Sequence, residues 1–399
     1  MNLEDMKNLP HEEQKELFSK LDGHRKLGKT CLPVDITEVL TDTGWKSYEG
    51  VSVGDLVLSM DTSDSQLKWS KVSNKVFFSD AEVKHLRNHN TTLEATGDHR
   101  WWTWRYGAKD KETGKKCKVS GYCTTDNLTT CHNIVTTGKY VGGNSGVSVE
   151  DAKFLGWLLS DGYLRISPFT GRTSQGSDGR RQATNMSVAQ HPKKFLEEMR
   201  QDVINCGFDA HEVVNKSSKV VSFIIPHAQA REFIKRVGLD MVSKKNSNYT
   251  KMVIGFSEEA LESFCDAFWK GDGLTTGKSP YASTTIYQSR GNTRDAIRLA
   301  YYLLGRDVTA GGKTSFEVRG KSHVTCQRLK IGTSRTTDVF CLTTGNGNFV
   351  VKQGEKITLT GNCNYASVYG AGAATLARGA GVSEKKAQQM LDGYWSLNH

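Results

Sequence analysis

From Cys31 onward, apolar residues fall in short runs that alternate with polar ones and break at Gly and Asp. CLPVDITEVLTDTGWKSYEGVSVGDLVLSMDT, WSKVSNKVFFSDAEVKHL and NTTLEATGDHRWWTW share this texture, which predicts strands joined by tight turns. The texture returns in TTDVFCLTTGNGNFVVKQGEKITLTGNC, so an all-β domain split by a distinct middle region is the simplest organisation. From about Val149 the pattern turns α/β. EDAKFLGWLLSDGYL predicts an apolar helix ending at Asp161 and Gly162, and ALESFCDAFWKGDGL repeats the device at Asp272 and Gly273. HPKKFLEEMRQDVINCGF and NTRDAIRLAYYLLGRDV follow them as amphipathic helices ending near a Gly. Residues 9–21 and the tail after Ser383 read as helix. The fold class is mixed β and α/β, in segments 1–30, 31–148, 149–333, 334–362 and 363–399.

Aligning the two aspartates puts Gly156 opposite Ala267 and Ser160 opposite Gly271. Small residues at i and i+4 let two helix backbones pack closely and bring Asp161 and Asp272 together. Two close carboxylates are costly unless a divalent cation neutralises them.

Joining HRKLGKT to CNYASVYG, with residues 31–362 removed, places Arg25, Lys29, Tyr365 and Tyr369 four apart on one helical face. Two cations and two rings there suit a nucleoside triphosphate. The joined string resembles the nucleotide-binding helix of family A DNA polymerases, R-x3-K-x3-[FY]-x3-YG. The resemblance implies that Arg25, Lys29 and Tyr365 bind substrate. It covers 1–30 and 363–399 only, without the polymerase carboxylates, so this chain alone is not expected to make DNA. The site forms only if the insert leaves, since its residues belong one turn apart.

The insert resembles an intein of the self-splicing Hint (horseshoe) fold, in the opening CLPVDITEVLT, the TGDH of Thr96 to His99, the DVFCLTTGNGNFVV run and the terminal TGNC. The resemblance implies that Cys31 attacks the Thr30 carbonyl to form a thioester. Thr96 orients the amide and His99 protonates the departing amine. Cys363 then takes the acyl group, Asn362 cyclises to a succinimide, and an S-to-N shift joins Thr30 to Cys363. Inteins commonly carry two further histidines, where this chain has Gly361 and Gly347. Trp101, Cys341 and Thr360 reproduce the Trp–Cys–Thr signature of class 3 inteins, in which the internal Cys attacks the N-terminal junction directly. Both Cys31 and Cys341 therefore stand as first nucleophile. Cys117, Cys123, Cys131 and His132 match no regular zinc spacing, and a basic loop with strands is expected there.

The duplicated middle segment resembles the two-repeat LAGLIDADG homing endonucleases. This implies that Asp161 and Asp272 bind Mg²⁺ and position water for strand cleavage, the partner being double-stranded DNA at the uninterrupted polymerase gene. Arg165, Arg172, Arg180, Arg181, Lys193, Lys194, Arg290, Arg294 and Lys313 are candidate phosphate contacts, and Lys270 stands where a small or apolar residue is more usual.

A formal charge of +10 agrees with a polyanionic partner. The sequence holds no apolar run of about 18 residues, so no membrane span is expected. The opening MNLEDMKNLPHEEQ lacks the regions of a signal peptide. A cytoplasmic, reducing location follows, with the nine cysteines unpaired, Mg²⁺ for the endonuclease, no cofactor for splicing, and a monomer. After splicing the partner is the remainder of the polymerase. The rival reading is a nucleic-acid-binding polymerase fragment carrying an inert insert.

Overall fold

The computed structural model describes residues 31–89, 91–109, 113–168, 182–239, 248–275, 283–309 and 311–362, with Ser383, Lys385 and Gln388. Arg25, Lys29, Thr30, Cys363, Tyr365 and Tyr369 lie outside the described residues, as do Arg172, Arg180 and Arg181.

The β-rich halves of the sequence come together in one ten-stranded sheet. Its main path runs Leu32–Pro33, Lys330–Thr344, Gln66–Arg87, Leu56–Asp61, Thr37–Thr41, Asn348–Gln353 and Lys356–Gly361. The 22-residue strand Gln66–Arg87 is its spine. Straight, that strand would extend roughly 70 Å. Register shifts against Lys330–Thr344 at Thr333/Arg335, Thr337/Val339 and Thr343/Thr344 bend the pair instead. A second sheet orders His323–Thr325, Asn133–Val135, Arg100–Lys109 and Lys116–Thr124. The short strand His323–Thr325, which the sequence pattern leaves in the middle segment, thus lies beside Asn133–Val135. Three residues of strand are too few to show an alternation.

The middle segment, the insert within the β-domain, contains six helices among its described residues: α1 (Val149–Leu159), α2 (Leu196–Asn205), α3 (His227–Arg236), α4 (Thr250–Gly255), α5 (Glu258–Asp272) and α6 (Asn292–Leu303). Its strands form two antiparallel sheets, one of Gly162–Pro168, Gln182–Gln190, Val221–Ile225 and His211–Val214, the other of Gly273–Thr275, Thr284–Ile286, Phe316–Arg319 and Asp307–Val308. In both, the fourth strand in sequence lies between the second and third. A helix precedes each sheet and another joins its second and third strands, so the duplication extends to topology. Helices α3 and α4, which periodicity did not mark, are short and bury few residues each.

Sequence starts α1 and α5 alike. Ser148 Oγ accepts the Asp151 N–H at 3.0 Å, and Ser257 Oγ the Ala260 N–H at 3.2 Å, each with acidic residues in the first turn. The helices pack face to face at Gly156, where an added Cβ would lie 2.5 Å from the Phe264 carbonyl oxygen and 2.9 Å from Ala267 Cβ. Any larger residue there would force the helices apart.

The insert is bonded to the β-domain by buried polar groups. Lys356, at the start of the last β-domain strand, pairs with Asp307 of the insert, and both are 1% exposed. Thr136 Oγ1 also donates to Asp307 Oδ1 at 2.9 Å. Glu355 accepts from Arg290 and Arg294, each at 2.9 Å. Arg294 was a candidate phosphate contact; it is fully buried and committed to this junction.

Candidate functional site

Strand ends of the β-domain bring distant residues into one buried cluster. The Cys31 N–H, half of the peptide bond to Thr30, donates to Thr96 Oγ1 at 3.0 Å, and the Thr96 N–H returns to the Cys31 carbonyl at 3.1 Å. The turn after Thr96 closes through the His99 N–H on the Thr96 carbonyl at 3.1 Å. It carries the imidazole inward, where His99 is fully buried and its Nε2 is hydrogen-bonded to Thr360 Oγ1. Trp101 stands edge-on to His99, ring centroids 4.7 Å apart at 70°. Its Nε1–H donates to Thr125 Oγ1 at 3.0 Å, and the Thr125 N–H to the His99 carbonyl at 2.8 Å. The indole thus packs against the imidazole and, through Thr125, ties to the His99 main chain. Cys341 is buried in the same apolar cluster as Cys31 and Trp101. A thiol, an amide held through its nitrogen and an imidazole fixed by a hydroxyl form a set suited to acyl transfer.

Asn362 follows directly from the strand that carries Thr360 and is 4% exposed. Its N–H donates to the Gly347 carbonyl at 2.9 Å and its Nδ2 to the Thr344 carbonyl at 3.0 Å, while Thr344 Oγ1 donates to its Oδ1 at 3.4 Å. The side-chain amide is therefore held in one plane beside its own main chain. Both glycines noted from the sequence have steric causes. A Cβ on Gly361 would meet the Arg100 carbonyl oxygen at 2.5 Å. Gly347 has φ +74°, and a Cβ there would lie 3.2 Å from the Tyr122 hydroxyl. That hydroxyl donates to the Gly347 carbonyl at 2.9 Å, the same oxygen that holds Asn362. Burial pushes the Tyr122 phenol up from its usual range, so it remains a donor. Tyr122 carried no signal in the sequence, because its role exists only across two sheets.

In the insert the two motif aspartates converge. A Cβ on Gly271 would lie 2.3 Å from Ser160 Oγ and 3.0 Å from Asp161 Oδ2, so Asp161 sits beside the residue preceding Asp272. The buried Gln190, on the neighbouring strand, donates from Nε2 to Asp161 Oδ2 at 3.1 Å. Periodicity reads Gln190 as a strand residue and nothing more. Two carboxylates fit a hard divalent cation in donor type, while the Gln190 amide oxygen is engaged by the His191 N–H at 2.9 Å. Lys270 pairs with Glu198 of α2 and, at 2.6 Å, with Asp266, and Glu198 also takes Lys153 of α1 at 3.0 Å. Its unusual charge thus ties α1, α2 and α5 together. Arg165, Lys193, Lys194, Arg290 and Lys313 are exposed.

Cys117 and Cys131 are exposed, and His132 Nδ1 accepts the Thr129 N–H at 3.0 Å. Among the described residues, no group of three or more His, Cys, Asp or Glu side chains could hold a metal, and no helix is long and apolar enough to cross a membrane.

No family model and no curated protein matches the chain. Among solved structures it is similar to the class 3 split intein AceL NrdHF at 10% identity and TM-score 0.31, over 84% of this chain and 99% of that one. It is similar to the Ssp DnaB mini-intein variant M86 at 8% and 0.27, again over 84% and 99%. It is also similar to the homing endonuclease I-DmoI in complex with DNA and Mn at 11% and 0.30, over 46% of this chain and 93% of that one. Other I-DmoI structures that match 46% of this chain are in complex with DNA and contain Ca or Mg.

Proposed function

We propose that the chain is a self-splicing precursor: residues 31–362 are a Hint-type intein interrupted by a LAGLIDADG-type endonuclease. Excision joins Thr30 to Cys363 and completes the nucleotide-binding helix of a family A DNA polymerase. The observation that carries this reading is the meeting of Cys31, Thr96, His99 and Thr360 in one buried hydrogen-bonded cluster of the β-domain, with Asn362 buried two residues beyond Thr360.

A sulfur–carbon bond forms at the Thr30 carbonyl as the carbon–nitrogen bond to Cys31 breaks. Thr96 holds that nitrogen and His99 supplies its proton. The acyl group passes to the Cys363 sulfur. Asn362 Nδ2 then attacks the Asn362 carbonyl carbon, the bond to Cys363 breaks, and the freed amine takes back the acyl group from sulfur. Thr344 fixes the plane of the attacking amide, and burial keeps water from the thioesters.

In the endonuclease, Asp161 and Asp272 would hold Mg²⁺, with Gln190 orienting Asp161. The ion supplies an activated water and offsets charge on the phosphate. The substrate is double-stranded DNA spanning the uninterrupted polymerase gene.

Mass spectrometry of the expressed protein tests the splicing: a product joined at Thr30–Cys363 is expected, with an excised chain ending in succinimide or Asn362. An intact polypeptide that persists would reject the reading. Incubating the excised chain with junction DNA and Mg²⁺ tests the nuclease, and absence of any nick rejects it.

A further inference from the structure

We infer that a cleft at the seam between β-domain and insert, walled by Arg87, Arg328 and Lys330 of the β-domain, holds the phosphate backbone of the target duplex on one side of the cut. The inference rests on the endonuclease reading and adds to it a DNA-binding surface that the insert alone does not possess.

The cleft has a volume of about 910 Å³. One wall is the far end of the β-domain's spine. Strand Gln66–Arg87 ends at Arg87, strand Lys330–Thr344 begins at Lys330, and these two residues are register partners. Arg328 ends the short 3-10 helix Cys326–Arg328 just before them. The other wall is the second sheet of the insert, through Thr285 and Glu317, with the turn from Gly311 to Ser315. Strand alternation fixes which face of that sheet is meant. Ile286, Phe316 and Val318 are buried in the core that α5 and α6 share. Thr285 and Glu317 alternate with them and pair with each other, so they show on the opposite, open face. Leu274 stands opposite Thr285 and is 50% exposed. The row Leu274, Thr285, Glu317 thus crosses the open face from two residues past Asp272 to the cleft, about 10 Å at ordinary strand spacing. A duplex that lies on this face with a phosphate at Asp272 meets the cleft within about one helical turn.

Charge selects the ligand. Arg87, Arg328 and Lys330 are exposed, and among the described residues none of the three forms an ion pair. Glu317 is the one carboxylate among the described residues that line the cleft. Arg87 and Lys330 are like charges directly opposed on neighbouring strands, an arrangement that costs a sheet stability unless an anion lies across both. Lys313, exposed in the turn from Gly311 to Ser315, adds a cation at the rim. Guanidinium and ammonium groups spread along strand ends suit the repeated phosphates of a backbone better than one small anion. Such contacts position a duplex and carry no sequence information. The cleft adjoins only the sheet that begins at Asp272, so its grip falls on that half of the target. All its residues lie within 31–362, so the precursor and the excised chain carry it alike.

The test measures binding of the full chain, without divalent metal so that no strand is cut. One probe is a duplex reaching about two helical turns to either side of the uninterrupted junction, the other a shuffled duplex of equal length. Arg87→Gln combined with Lys330→Gln should weaken binding to the junction duplex about tenfold at physiological salt. It should also flatten the slope of log affinity against log salt by about 1.8, two phosphate contacts at about 0.9 each. Lys71→Gln combined with Lys235→Gln removes the same charge from exposed positions near the start of the spine strand and in α3, and should do neither. Hydroxyl-radical footprints of the cleft variant should lose protection on the Asp272 side of the cut alone. Unchanged affinity and slope overturn the inference, as does a loss matched by the control pair or one spread over both sides of the cut. The cleft variant should melt no lower than the parent, because two opposed cations no longer repel. If it does melt lower, Arg328→Gln alone must flatten the slope by about 0.9 with its melt preserved, or the inference is overturned. A parent that binds both duplexes equally and leaves no footprint at the junction sinks the endonuclease reading, and the cleft's role with it.

Discussion

The two candidate centres are built in opposite ways. In the β-domain, residues 31, 96, 99 and 360 meet through hydrogen bonds between segments distant in sequence, residue 362 lies two positions beyond 360, and every one of them is buried. In the insert, Asp161 and Asp272 come from two local copies of one helix-end pattern, and both are half-buried. The contrast follows the chemistry. On the proposed reading a thioester forms in the first site, and enclosure among distant strands keeps it from water. A phosphodiester on DNA reaches its site from outside, so that site belongs at an open meeting of helix ends. Between the two lies the Lys356–Asp307 pair, and Lys356 begins the same six-residue strand that carries Thr360. The centres are thus chemically independent and mechanically joined.

The largest effects should break the independence if it is false. Asn362→Ala removes the only group that can form the succinimide, so release at Cys363 should vanish on gels and by mass while DNA cleavage continues. Asp161→Asn or Asp272→Asn should do the reverse, abolishing Mg²⁺-dependent cleavage with splicing at its original rate. Slower splicing in either aspartate variant would show that the centres share more than a scaffold.

The mechanical link comes next. Lys356→Met leaves Asp307 buried with only the more distant cation of Arg319, 3.8 Å away, and should cost about 3–5 kcal/mol in denaturant unfolding. Burial already holds the Lys356 ammonium below its usual pKa, a sign of how little water reaches it. Combining it with Asp307→Leu should recover much of the loss, since a packed apolar pair can replace a buried ionic one. Splicing should follow stability across the three proteins, because the strand displaced is the one carrying Thr360 to Asn362. Equal stability of the single and double variants would mean that the pair does not hold the domains together.

What the sequence disclosed divides along the same line. Helix-end aspartates, the Thr96 to His99 turn and the alternating strands are local patterns, readable within a few residues. The partners that complete each centre are not local. Gln190 reaches Asp161 across a sheet, Tyr122 reaches Gly347 from the second sheet, and Arg294 is spent on Glu355 rather than on phosphate. A tyrosine or glutamine inside a strand pattern looks the same whether or not it holds another side chain in place. The strand at His323 is hidden for a related reason: it exists because Asn133–Val135 lies beside it.

Tyr122→Phe should have a smaller effect confined to the β-domain. It removes one hydrogen bond to the carbonyl that holds the Asn362 N–H, worth about 0.5–1.5 kcal/mol. If that support is felt in the cyclisation step, release at Cys363 should slow by roughly two- to tenfold. Acyl transfer at Cys31 should keep its rate. A quench-flow or timed-gel comparison of the two junctions decides it, and equal slowing at both would indicate general loosening of the second sheet.

The weakest predicted effect is a pH dependence at the boundary strand. His323 is half-buried, its ring edge-on to Trp104 with centroids 5.0 Å apart. Burial foremost, then the cations of Lys321, Lys118 and Arg319 against an opposing Asp307, hold its imidazole below the usual 6.5. Because the folded pKa is the lower one, the unfolded chain takes up the proton first as pH falls through about 6.5. Stability from this group is therefore full above that pH and declines toward the depressed folded value. Melting curves between about pH 7.5 and about pH 5.5 should fall more steeply for the parent than for His323→Phe, which keeps the ring stack without the titration. The imidazole sits where the insert's last residues enter a β-domain sheet, so acidification should loosen the seam before it touches the helix-end aspartates. Parallel curves for the two proteins would place the acid sensitivity elsewhere.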